Sequence, residues 1–245
     1  MGISHLISIV GAGPGDPELL TVKALKRIQE ADVILYDALV GKELLDVAPP
    51  ETIKKYFGKL CNDGQNPQER QTNIHNQFLY WAERGKRIVR LKSGDAMIYS
   101  RGTEEIRFCR KHNLNFEVIP GITAGISGAA IFHVPLTERG RNNMLLFYTG
   151  RKNETGFPEM DSMVKILESG SPVIVYMGLN HLVELAGKLM ESGVERSTPV
   201  QILSKISQDG QKGYATSLGQ AQHFIENNQP ETPSTILIGR NLENI

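Results

Sequence analysis

Apolar residues along the chain fall into short β-rich runs separated by longer segments of helical spacing. The first run, Leu6-Ile-Ser-Ile-Val10, stops at Gly11-Ala-Gly-Pro-Gly-Asp-Pro17, and a helical pattern follows over 18–25. That change of period predicts a strand, a tight loop and a helix N-terminus. Residues 31–37 read as a second buried strand ending in an acid, and 52–57 as a weaker third, closed by Gly58-Lys59. Residues 60–68 carry Asn, Asp, Gly and Pro and read as a loop. Over 68–85, Ile74, Phe78, Trp81 and Ala82 share one helical face. Residues 87–91 predict the next strand, which runs into the glycine-containing loop 92–102. Thr103 then opens a helix with Glu104 and Glu105 in its first turn. Residues 115–119 predict a further strand.

Pro120-Gly121 reads as the joint between two domains, 1–119 and 120–245. Residues 122–132 are rich in Gly and Ala and predict a closely packed helix, ended by Pro135. The second half repeats the alternation. It has strands at 144–148, 172–177, 199–203, 213–216 and 234–238, and a helix carrying Leu182, Leu185, Ala186, Leu189 and Met190. A short helix is predicted over 220–227, and 151–163 reads as polar and irregular. The expected fold is two-domain α/β. Its N-terminal sheet is mainly parallel with helices on both faces, and its C-terminal sheet is mixed because short links join its last strands. Ligands of such sheets bind beyond the carboxyl ends of the strands. Those ends carry 11–15, Asp37, 93–95, Thr149-Gly150 and Met177-Gly178, so the expected site is a cleft between the two halves.

The first loop begins like a dinucleotide fingerprint, with Gly11 and Gly13, but Asp16 stands where the third glycine belongs. A carboxylate there repels a pyrophosphate at the helix N-terminus, and Pro14 and Pro17 remove two amide donors. The loop suits a ligand without phosphate; the alternative is a rigid turn with no ligand.

Composition narrows the function classes. The 245 residues allow one large domain or two smaller ones, with 40% hydrophobic and 22% charged residues and balanced charge. A general affinity for nucleic acid or an anionic membrane is not implied. Two cysteines, Cys61 and Cys109, are too few for a disulfide framework, and the six histidines lack ligand spacing, so no metal is expected. Without a basic N-terminal region before a long apolar run, no signal peptide is expected, and no apolar stretch approaches a membrane span. The expected location is a reducing cytoplasm.

Seven segments in order resemble the tetrapyrrole methylases, and within them the enzymes that methylate uroporphyrinogen III. They are Val10-Gly-Ala-Gly-Pro-Gly-Asp-Pro17, Tyr36-Asp-Ala-Leu39, Arg90-Leu-Lys-Ser-Gly-Asp95, Arg101-Gly-Thr-Glu-Glu105, Val118-Ile-Pro-Gly-Ile-Thr-Ala124, Val134-Pro-Leu-Thr137 and Tyr176-Met-Gly-Leu179. The resemblance implies a homodimer with S-adenosylmethionine as methyl donor. It implies methylation of uroporphyrinogen III at C2 and C7 to precorrin-2, which feeds sirohaem and cobalamin synthesis. Positions matching Pro14, Ser93, Gly94, Asp95, Ile98, Thr123, Ala124 and Met177 line the donor site in that family. Those matching Asp37 and Lys59 are assigned as proton acceptor and donor, and those matching Arg101 and Arg139 to substrate binding or deprotonation. The chain departs from the family pattern at Ser93, Ala96-Met97, Ser100, Thr103, Leu60, Glu138, Arg151 and Ile206. Alternatives are a methyltransferase of the same superfamily acting on another corrin precursor or a macromolecule, or a donor-binding homologue without catalysis.

The residue types suit that chemistry. Asp95 is a candidate for the ribose hydroxyls or the donor's amino group, or for a turn cap. Met177 is a donor contact or a core residue. A methylated pyrrole must lose a proton, and Asp37 at a strand end is the candidate base, or else a ribose-binding or capping acid. Lys59, Arg101, Arg139 and Arg141 are candidate partners for the carboxylates of the macrocycle, or solvated surface charges.

Overall fold

The computed structural model describes residues 6–58, 66–240 and 242. The chain divides into two compact units, Met1–Thr123 and Ala124–Ile245.

In the first unit, strands β1 (Leu6–Gly11), β2 (Val33–Tyr36), β3 (Ile53–Tyr56), β4 (Arg87–Lys92) and β5 (Phe116–Ile119) form one sheet in the order β3-β2-β4-β1-β5. Every pairing is parallel. The chain steps from β1 to β2 to β3 in one direction and returns through β4 to β5. Right-handed crossovers then put the intervening helices on opposite faces. Val10, Ala12, Ile34, Val89 and Leu91 meet α1 (Val22–Gln29) and α2 (Lys42–Asp46) through Ala24, Ile28 and Leu44. The alternate residues Ile7, Ile9, Val33, Leu35 and Ile88 meet α3 (Pro67–Ala82) and α4 (Gly102–Lys111) through Ile74, Phe78, Trp81 and Cys109. The weak pattern of β3 has a cause: it is an edge strand, with Ile53 and Tyr56 exposed around Lys54 and Lys55.

The helix expected over 18–25 is two pieces. Pro17–Leu19 is a single 3-10 turn, and Asp16 caps it by accepting from the Glu18 amide at 2.8 Å. Helix α1 starts afresh at Val22, where the Thr21 hydroxyl accepts from the Ala24 amide at 3.2 Å.

The second unit holds a mixed sheet in the order β6-β7-β10-β8-β9, from strands Leu146–Thr149 (β6), Val173–Tyr176 (β7), Pro199–Ser204 (β8), Lys212–Ser217 (β9) and Ser234–Ile238 (β10). Only β6 and β7 pair in parallel. Val173, Val175, Val200 and Ile236 face a core completed by α6 (Met160–Glu168), α7 (Leu182–Glu191) and α8 (Ala221–Asn228). The opposite face, with Ile174, Leu203 and Leu237, meets α5 (Ala124–Ile131). The glycines of α5 let it approach: a β-carbon on Gly125 would lie 2.5 Å from Ile174 Cγ2, and one on Gly128 2.6 Å from Ile206 Cδ1. The segment expected to be irregular to 163 becomes helical at Met160, because Met163, Val164 and Leu167 supply a buried face. The five-residue α2 was also not read from the pattern; it buries Leu44 alone.

Candidate functional site

Because β1, β2 and β4 are parallel, their carboxyl ends deliver Gly13-Pro14, Asp37 and 93–95 to one edge of the first unit's sheet. The loops after β1 and β4 are zipped together. The Gly13 amide donates to the Gly94 carbonyl at 3.1 Å, and the Gly94 amide returns to the Gly13 carbonyl at 2.7 Å. Asp95 adds the loop after β5. Its Oδ1 accepts from the Met97 amide at 2.7 Å and its Oδ2 from the Gly121 amide at 3.0 Å. A β-carbon on Gly11 would lie 2.5 Å from the Gly121 nitrogen, and one on Gly121 would collide with the Gly94 carbonyl. Glycine is thus required here so that three loops can pack backbone on backbone. Pro14 is buried, while Ser93, Asp95, Ile98 and Thr123 are half-buried and Met97 and Tyr99 exposed.

The chemistry of this edge fits S-adenosylmethionine, a sulfonium cation with no phosphate. Asp16 holds a carboxylate where a pyrophosphate binder would need an anion site. Asp95 keeps acceptor capacity after its two amide bonds, since a carboxylate offers about four lone-pair sites.

Asp37, immediately after β2, joins a group of buried charges. Arg90 and Lys92 project from β4 towards α4, each only 2% exposed, and Glu105 of α4 is fully buried between them. Arg90 Nε donates to Glu105 Oε1 at 2.9 Å, its Nη1 to the Leu35 carbonyl at 3.2 Å and its Nη2 to Asp37 Oδ1 at 2.5 Å. Lys92 Nζ donates to the same Glu105 oxygen at 3.0 Å and stands 3.7 Å from Asp37 Oδ2. Burial opposes the Arg90 charge, but Glu105 and Asp37 outweigh it and raise its pKa. Lys92 is pulled below the ordinary lysine value by burial and by the charge of Arg90. Cys109, buried beside them, has its thiol pushed up to about 12 by burial and by Glu105.

Arg101 caps α4 in the left-handed conformation, at φ 61°. A β-carbon on the next residue, Gly102, would collide with the Ala96 carbonyl, which also accepts from the Ser100 hydroxyl. The Arg101 guanidinium grips Glu104 through Nε at 2.7 Å and Nη2 at 2.6 Å. That bond lifts the arginine and holds the Glu104 carboxyl below its usual range. Lys59 lies outside the described residues.

In the second unit, Ala124 opens α5, and the next amide, Gly125, donates to the Tyr176 hydroxyl at 3.1 Å. Met177 follows β7 at φ 55° and is exposed, so it is not a core residue. The Gly150 amide donates to the Tyr176 carbonyl at 2.7 Å, which fastens the loop after β6 to the loop after β7. Arg139 is exposed in a turn where the Arg141 guanidinium pairs with Glu138 at 3.1 Å. The fold therefore gathers Pro14, Ser93, Gly94 and Asp95 in one cluster and links Asp37 to it through β4. It ties the start of α5, one residue after Ala124, to the Tyr176 hydroxyl, and leaves Met177 and Arg139 exposed.

From sequence alone, Glu105 is a first-turn acid and Arg90 and Lys92 are assigned no chemistry. The signal was present. Central parallel strands are covered on both faces and read as apolar, yet β4 alternates Ile88, Arg90 and Lys92 on one face.

Comparison with known proteins agrees with this arrangement. Residues 6–222 match the family described as Tetrapyrrole (Corrin/Porphyrin) Methylases. The chain is similar to the uroporphyrinogen-III C-methyltransferase of Bacillus subtilis, 39% identical over 95% of this chain and 89% of that one. It is 38% identical to a siroheme synthase of Psychrobacter arcticus over 95% of its own length, but spans only 42% of that longer protein. Among solved structures, the uroporphyrin-III C-methyltransferase of Thermus thermophilus in complex with S-adenosylhomocysteine superposes with a TM-score of 0.77. The match is at 29% identity and covers 96% of this chain and 92% of that one. With most of its length matched in sequence and its strand-end loops in the expected order, the chain belongs to the tetrapyrrole methylases.

Proposed function

We propose that this protein is an S-adenosylmethionine-dependent C-methyltransferase that converts uroporphyrinogen III to precorrin-2 by methylation at C2 and C7. The observation that supports it most is the single edge of the parallel sheet. There Asp37, the Gly13–Gly94 knot and Asp95 meet in a chain of established family.

S-adenosylmethionine, when bound, supplies the methyl group as an electrophilic carbon on a sulfonium sulfur. In this reading Pro14, Ser93, Gly94, Asp95, Ile98, Thr123, Ala124 and Met177 hold the donor. Asp95 offers acceptor lone pairs to its hydroxyls or amino group. Methyl transfer leaves positive charge on the macrocycle, and Asp37 accepts the proton whose loss discharges it. Lys59 acts as proton donor. Arg101 and Arg139 bind carboxylates of the macrocycle, and Arg101 exchanges Glu104 for a substrate carboxylate of the same bidentate geometry. The enzyme works as a cytoplasmic homodimer, needs no metal and acts on no nucleic acid or membrane.

The test is incubation with methyl-labelled donor and uroporphyrinogen III, with ribosomal RNA and a later corrin precursor as competing acceptors. Label in the uroporphyrinogen product is the expected result; label only in another acceptor overturns the substrate, and donor binding without transfer overturns catalysis.

A further inference from the structure

Arg90, Lys92 and Glu105 form a unit whose one route to solvent is a carboxylate. Glu105 is fully buried and anchors both cations through a single oxygen, Oε1. Its other oxygen, Oε2, is buried with no hydrogen-bond partner among the described residues. Arg90 spans from that anchor to Asp37, and its guanidinium is fixed at three points by Glu105, the Leu35 carbonyl and Asp37. Lys92 stands behind the second Asp37 oxygen. Asp37 alone among the four reaches solvent, with 32% of its side chain exposed, against 2% for each cation and none for Glu105.

Stability does not account for this arrangement. Buried ion groups are on balance no better than an apolar core of equal volume, because desolvation offsets the attraction. The neighbouring positions on the same face are Ile88, Leu35 and Phe78. What the charges do achieve is orientation. Asp37 follows a strand end and would otherwise rotate about two side-chain torsions, and the pair to Arg90 at 2.5 Å removes that freedom. A misplacement of about 1 Å at a reacting group costs on the order of 100-fold in rate.

We propose that Arg90, Lys92 and Glu105 are positioning residues that hold the Asp37 carboxylate in the orientation for proton transfer. The inference rests on the proposed methyltransferase reading and on Asp37 as its proton acceptor. None of the three needs to touch the macrocycle or the donor; they act through Asp37.

A double-mutant cycle on kcat tests it, with single-turnover product formation measured by mass spectrometry at high enzyme concentration. Arg90→Gln is expected to lower kcat by about 100-fold. The dissociation constant for S-adenosylhomocysteine and the KM for uroporphyrinogen III are expected to stay within about twofold, the scatter of effects between uncoupled sites. Arg90→Lys, which keeps the charge without the fork, recovers part of the loss. The decisive corner is the Asp37→Asn background, where Arg90→Gln is expected to cost nothing further, because the group it acts through is already gone. The same 100-fold loss in that background, or loss of donor binding in step with kcat, overturns the proposal. If Arg90→Gln does not fold, Glu105→Gln and Lys92→Met carry the same cycle with the same expected non-additivity. A wild-type chain that methylates no tetrapyrrole overturns the functional reading itself, which is a different result from an additive cycle in an active enzyme.

Discussion

The two sheets of this protein bury different things. The second unit's sheet buries Val173, Val175, Val200 and Ile236 on one face and Ile174, Leu203 and Leu237 on the other. Its buried polar side chains among the described residues, such as Ser171, Gln201, Ser204 and Thr235, carry no charge. The first unit's sheet has an apolar frame of the same kind, yet it seats Arg90, Lys92 and Glu105 within that frame. Taking charges out of water is expensive, and Arg90 and Lys92 stand at the carboxyl end of a central strand, where parallel sheets bind ligands, with Glu105 packed against them from α4. The difference separates a unit whose buried polar groups are neutral from one whose interior pairs charges that reach Asp37.

That contrast can be broken at several points. The largest expected effect is on catalysis: Asp37→Asn is expected to lower kcat by about 10²–10⁴-fold with donor affinity retained, measured by turnover and calorimetry. A variant with full turnover would reduce the charged group to scaffolding.

Next comes the knot of loops. Gly121→Ala forces a β-carbon into the Gly94 carbonyl, backbone against backbone, and is expected to destabilise the protein by about 3 kcal/mol in urea unfolding. The matching substitution in the second unit has the opposite sign. Gly187 lies inside α7 with nothing within 4 Å of an added β-carbon. Gly187→Ala is therefore expected to stabilise by about 0.5–1 kcal/mol, the smallest effect of the set.

Per pH unit, an effect of intermediate size comes from the thiol beside the charged unit. The Cys109 thiol is raised from its ordinary 9.0 to about 12 by burial and by Glu105. From about pH 9 to 12 the unfolded chain releases a proton that the folded chain keeps, so stability falls as pH rises, by about 1.4 kcal/mol per pH unit. Lys92, pulled below its ordinary value, contributes the opposite slope, but it does so in both chains being compared. The difference in unfolding free energy between the wild type and Cys109→Ala is therefore expected to shrink steadily above pH 9. A difference that stays constant would contradict the burial of the thiol beside Glu105.

The frame of the fold was legible because its signals are local. Short, β-rich apolar runs mark β1, β2, β7 and β10. Asp16 was legible as an obstacle to phosphate, and it caps the turn that follows. Where the reading failed, the deciding contact is distant in sequence. Met160 begins a helix because Met163, Val164 and Leu167 find a sheet to cover, although the residues before them are polar. The loop glycines read as room for a ligand, while the structure uses Gly11, Gly94 and Gly121 against one another across 110 residues of chain. Arg90 and Glu105 are 15 residues apart, and Arg90 and Asp37 are 53 apart. No spacing rule joins them; only the pairing of β2 with β4 does.

The measurement that reaches the centre of this account is the mass of the tetrapyrrole after incubation with S-adenosylmethionine and uroporphyrinogen III. A product heavier by two methyl groups, formed by the wild type and lost in Asp37→Asn, is the predicted result. A macrocycle of unchanged mass, or two methyl groups added equally well without the Asp37 carboxylate, would contradict it.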